Sequence, residues 1–138
     1  MEFLRRIFGR REEERLGPVL EPGEYERIGT EEDPLRNYEA ALERNLEAME
    51  AERTDTERAV RLYEQSVAEG FVGIQPYERL AAIYERRREY GRALRVCEAY
   101  IELARSGRMP RGAQRSADRR LPEIERRAER YRELMRGG

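Results

Sequence analysis

Residues 77–101 read YERLAAIYERRREYGRALRVCEAYI, and their reading decides the fold. Tyr77, Leu80, Ala81, Ile83 and Tyr84 recur every three to four residues, which marks one apolar face of a helix. Arg88 and Glu89 interrupt the pattern; Ala93, Leu94, Val96, Cys97, Tyr100 and Ile101 resume it. Two amphipathic helices joined by a short turn follow. A second copy, ERNLEAMEAERTDTERAVRLYEQSV, stands 34 residues earlier at 43–67. The copies share seven identities: Leu46/Leu80, Ala48/Ala82, Arg53/Arg87, Arg58/Arg92, Ala59/Ala93, Arg61/Arg95 and Glu64/Glu98. Met49/Ile83, Leu62/Val96 and Val67/Ile101 match in apolar character. A period of 34 residues is that of stacked helix–turn–helix units, each too thin to bury its face alone.

Outward from this core, the spacing predicts helices over 34–53, 55–69, 76–88, 90–105 and 119–136. Asp33-Pro34 supplies an N-cap and a first-turn proline, and Leu35, Tyr38, Leu42, Leu46 and Met49 form the first stripe. Thr54-Asp55-Thr56-Glu57 has capping-box spacing. Gly70 suits a helix stop and Pro76 a start. Residues 106–117 hold Gly, Pro and Arg and predict a loop. Pro122 argues that the last helix begins between Asp118 and Leu121, because a deeper proline removes a backbone hydrogen bond. Leu121, Ile124, Ala128, Tyr131 and Leu134 form its apolar face.

Composition narrows the chemistry. The 138 residues contain 28 Arg, no Lys, no His and one cysteine, Cys97. A Lys Schiff base, a phosphate-loop Lys and a His general base or metal ligand are therefore excluded. No metal or other cofactor is implied. The all-Arg usage points to a high-GC bacterial genome. A lone Cys, the absence of any apolar run long enough to span a membrane, and the absence of a signal peptide point to the cytoplasm. Net charge is −1 but segregated: residues 1–104 sum to −7 and residues 105–138 to +6.

The stretch Tyr77–Ile101 resembles a tetratricopeptide (TPR) repeat, with Tyr77, Leu80, Ala81 and Tyr84 at the family's spacing, Ala93 at its helix crossing, and a similar turn at Arg88–Ala93. Cys97 and Tyr100 depart from the usual types there. The preceding unit, about 40–73, matches at Leu46, Ala59, Tyr63 and Val67, with Glu43 and Glu50 in place of aromatics. The resemblance implies an all-α fold of two TPR-like antiparallel helical hairpins with a C-terminal capping helix, over residues 34–136. It also implies a non-catalytic module that binds a peptide or protein partner on a concave face. By that register the face carries Arg44, Asn45, Ala48, Glu78, Arg79, Ala82 and Glu85. Ala48 and Ala82 leave room for a chain, and Arg44 and Arg79 can fork onto a carboxylate. The family's carboxylate clamp is not reproduced, because Ala48 stands where an Asn is needed.

Two further segments lie outside that unit. Residues 1–11 form an amphipathic leader in which Phe3, Leu4, Ile7 and Phe8 alternate with Arg, suited to weak contact with an anionic membrane surface or a partner. Residues 12–33 form an acidic, Gly/Pro-broken linker. The alternative functions are therefore a peripheral membrane adaptor held by the leader, or a nucleic-acid-associated factor using the Arg-rich final third. The latter is disfavoured because no aromatic stands among those arginines to stack a base.

Overall fold

A computed structural model describes residues 38–137. The expected helix start at Asp33-Pro34, the linker, the leader and its Phe3, Leu4, Ile7 and Phe8 lie outside the described residues. Those residues are all-helical, with no strand among them: α1 (Tyr38–Ala51), α2 (Thr56–Ala68), α3 (Gln75–Arg86), α4 (Tyr90–Arg105) and α5 (Arg111–Gly137). No described helix is long and apolar enough to cross a membrane.

Helix starts follow local chemistry. Asp55 accepts the Arg58 N–H at 3.2 Å and is the N-cap of α2, one residue beyond the Thr of the expected capping box. Pro76 occupies the first turn of α3. Two helix ends share one geometry. After α2 the Phe71 N–H reaches Ser66 and the Gly70 N–H reaches Val67, with Gly70 at φ +69°. After α3 the Glu89 N–H reaches Tyr84 and the Arg88 N–H reaches Glu85, with Arg88 at φ +60°. Both are left-handed C-terminal stops, and only the first uses glycine. The turn at Arg88 ends α3 at Arg86, two residues before the expected end.

Each helix packs on the one before it. Arg44–Glu69 and Asn45–Ser66 pair with opposed numbering, so α1 and α2 run antiparallel. Glu64–Tyr84 and Glu57–Arg87 set α2 against α3 the same way. Glu78–Arg120 and Glu85–Arg130 rise together, so α3 and α5 run parallel. The main core joins Tyr63, Leu80, Ile83, Tyr84, Val96, Tyr100, Ile124 and Tyr131, all essentially sealed from solvent. Each of the aliphatic side chains among them contributes roughly 1.5–3 kcal/mol. Ala59 and Ala93 are fully buried within it.

Two expectations are corrected. The segment 111–118 is helical, and α5 runs through Pro122 without ending. Ala113 and Ala117 are buried in the main core; Gln114 caps an α4 carbonyl by donating to Ala104 O at 2.8 Å. Pro122 lies on the exposed side, where water can serve the carbonyl its missing N–H leaves free. In α1 the buried row is Ala41, Leu42, Asn45, Ala48 and Ala51, while Met49 is 40% exposed. The face is rotated by about one residue from the expected stripe. Small side chains let α1 approach its neighbours closely, and Tyr38 and Leu46 flank the contact against Phe71.

Candidate functional site

The end of α1 and the outer edge of α3 enclose a groove of about 500 Å³ lined by Met49, Glu52, Arg53, Gln75, Glu78, Arg79 and Arg86. Its floor is a fixed ionic network. Arg79 donates to both Glu52 oxygens, Nε to Oε2 at 3.0 Å and Nη2 to Oε1 at 2.5 Å. This is the two-pronged geometry that suits guanidinium to carboxylate. The Tyr63 hydroxyl, reaching out of the core, donates to the same Glu52. Burial pushes Glu52 toward the neutral form, but the hydrogen bonds from Arg79 and Tyr63 outweigh it and hold the carboxyl below its usual range. Burial and the neighbouring carboxylate together raise Tyr63.

The rim differs. Arg53 makes no ion pair with any described residue, and Arg86 feels Glu52 only through space. Beside them lies the exposed thioether of Met49. The groove therefore offers two guanidinium groups and one apolar side chain above a floor already neutralised.

The floor motif recurs. Tyr84 donates to Glu64 at 2.6 Å, and Arg95 pairs with that carboxylate from α4. Tyr131 of α5 donates to Glu85 at 2.6 Å, and Arg130 pairs with Glu85 as well. The Tyr131 hydrogen bond, followed by Arg130, holds Glu85 below the ordinary carboxylate range. Each unit sends a buried phenol to a partly buried carboxylate and ties neighbouring segments together.

The residues expected on one concave face divide between interiors and seams. Arg44 turns to α2, donating to Ser66 Oγ at 3.3 Å and pairing with Glu69 at 2.8 Å. Asn45 is buried, accepting from Ser66 at 2.6 Å, and Ala48 is fully buried. Glu78 pairs with Arg120 of α5 at 2.6 Å, and Glu85 with Arg130. Ala82 is half-buried. Only Glu78 and Arg79 reach the groove, and there they meet Met49, Glu52, Arg53, Gln75 and Arg86, none of which the repeat register places on the face. Met49 was hidden by its match to Ile83, which is buried where Met49 is not. Arg53 carried no signal beyond its identity with Arg87.

A larger hollow of about 830 Å³ lies between α4 and α5. Its Arg105 pairs with Glu125, and its Arg132 with Glu98 and Glu129. Burial pushes the Cys97 thiol up to about 11, so it stays protonated at neutral pH. Among the described residues no three potential ligands converge as a metal site. No protein-family model, curated protein or solved structure matches the chain.

Proposed function

We propose that the chain is a TPR-like interaction module, two helical hairpins closed by α5, that binds an acidic peptide segment carrying an apolar side chain in the groove between α1 and α3. The observation that carries this reading is the rim: among the described residues Arg53 has no ionic partner and Arg86 no direct one, and both stand beside exposed Met49. An acidic side chain arriving there meets guanidinium groups that have no carboxylate to give up. The 34-residue offset, the full burial of Ala59 and Ala93, and the short connections between packed helices support the TPR-like part.

The module is non-catalytic in this reading. Glu52 and Glu85 are held ionised, the opposite of what a general acid needs, and Cys97 is neutral and buried. The single buried thiol agrees with a reducing, cytoplasmic setting.

The test is selection of a random peptide library on the full chain, followed by titration of the enriched peptides. Acidic sequences should be enriched, and Arg53→Glu with Arg86→Glu should weaken them about tenfold or more without loss of helical circular dichroism. Enriched peptides that bind this variant as they bind the wild type would remove the groove from consideration. Arg44 and Arg79 are poor probes, since each also holds helices together.

A further inference from the structure

The floor of the groove is built to receive a carboxylate, and the chain supplies the occupant itself. Glu52 stands in the turn just after α1, and its side chain is only 9% exposed. Donors from two other helices converge on its oxygens. Arg79 of α3 gives Nε–H to Oε2 and Nη2–H to Oε1, and the Tyr63 hydroxyl of α2 gives its proton to Oε2. Gln75 adds an amide that stands beside the Tyr63 hydroxyl, yet its buried Nε2 completes no hydrogen bond. Helix α3 begins at this same Gln75 with no side chain capping its first amides, so its positive end adds to the field. Such a set of donors suits a carboxylate, which accepts through both oxygens at once.

The occupant can be exchanged. Glu52 lies outside α1 proper, so rotation about its side-chain bonds withdraws the carboxylate while its N–H keeps the bond to Ala48 O. Arg79 is 47% exposed at the groove, which gives an incoming group access to the guanidinium. The lining carries Arg53, Arg79 and Arg86 against Glu52 and Glu78, and Glu78 is already engaged by Arg120. A further carboxylate is therefore matched by charge.

We propose that Arg79, Tyr63 and Gln75 form a binding site for the acidic side chain of a polypeptide, which Glu52 fills from within until such a side chain takes its place. The exchange is non-covalent: one carboxylate leaves the guanidinium as another arrives, and the end of α1 is released from α2 and α3. This goes beyond the rim reading and does not depend on it, because the donors are not Arg53 and Arg86.

The test follows the Arg79 Nε–H signal of the full chain by NMR while N-acetyl-glutamate amide is added at constant ionic strength. N-acetyl-glutamine amide is the neutral control. In Glu52→Ala, which removes the internal occupant, the signal should shift saturably with the glutamate probe and stay still with the control. The glutamate probe should also raise the melting temperature of this variant, and adding Arg79→Gln should abolish the rise. Wild type should respond in the same sense but need about tenfold more probe, because Glu52 competes from within the same chain. Should Glu52→Ala lose its helical circular dichroism, the wild-type titration decides alone. No saturable shift in either protein, or equal shifts with the two probes, would overturn the site. A shift in Glu52→Ala with none in wild type at about thirtyfold more probe would overturn the exchange and leave the Glu52–Arg79 pair as a fixed clamp.

Discussion

The α1–α2 pair and the α3–α4 pair are built at the same offset but filled differently. Between α3 and α4 the interior is large and apolar: Leu80, Ile83 and Val96 are sealed, and Tyr77 meets Tyr100 edge-on at 5.0 Å. Between α1 and α2 it is small and polar. Ser66, at the position equivalent to Tyr100, is fully buried and donates to Asn45, with Arg44 closing the chain to Glu69. The Asn45 amide nitrogen has no partner. One pair is held by burial of area, the other by close approach and hydrogen bonds worth less per residue. Similar patterning therefore yields unequal stability, and the softer pair borders the groove.

The strongest way to break this contrast is truncation in each interior. Leu80→Ala should lower unfolding stability by about 2–5 kcal/mol, while Leu42→Ala, in the small cluster with Ala41 and Phe71, should cost clearly less. Equal urea midpoints for the two variants would erase the distinction. Next in size, Ser66→Ala should cost about 1–3 kcal/mol by stranding the Asn45 carbonyl. Adding Asn45→Leu should return much of that loss, since an apolar pair needs no partner; a double mutant worse than Ser66→Ala would show that the polar chain specifies the packing.

Acid should act on the Tyr–Glu–Arg units. The folded structure holds the carboxyls of Glu52 and Glu85 below the usual carboxylate range. The unfolded chain then takes up protons first, so their contribution is present above that range and fades as pH falls through it toward the folded values. Glu52→Gln should flatten the acid limb of a stability profile; an unchanged slope would discount the unit. The tyrosines act at the other limb. Tyr84 is raised to about 12 by burial and by Glu64, and Tyr100 to about 12 by burial, so their contribution is lost as pH rises above 10.

Smaller effects separate the two turns. Arg88→Gly should stabilise by up to about 1 kcal/mol by relieving a left-handed non-glycine backbone. Gly70→Ala should destabilise by a similar amount, about 1 kcal/mol. An added Cβ at Gly70 meets only Leu103 at 3.9 Å, so backbone strain is the whole cost. Thermal melts reporting the same sign for both would contradict the shared geometry. Smallest of all, Arg105→Ala should cost under about 0.5 kcal/mol, because its pair with Glu125 is exposed.

Helix periodicity was legible wherever apolar residues were large. Tyr77, Leu80, Ile83 and Tyr84 announced α3, and Val96, Cys97 and Tyr100 announced α4, with bounds close to those observed. It misled where the buried face was small. Alanine gives a weak signal against Leu46 and Met49, so periodicity sets the face of α1 about one residue out of phase and predicts a loop where α5 begins on Gly112, Ala113 and Ala117. The groove shared that fate, because its lining comes from two helices far apart in the chain and is mostly charged.

What the residues determine by themselves is local: which stretches turn as helices, where Asp55 and Pro76 start them, where Gly70 stops one, and that neither Lys nor His chemistry is available. Tertiary structure decided the rest. Which face of α1 is buried, whether Arg44 and Glu85 stand open or bind neighbouring helices, and which arginines form ion pairs depend on the approach of side chains distant in the chain. Periodicity reports only one helix at a time; an ion pair needs the positions of two.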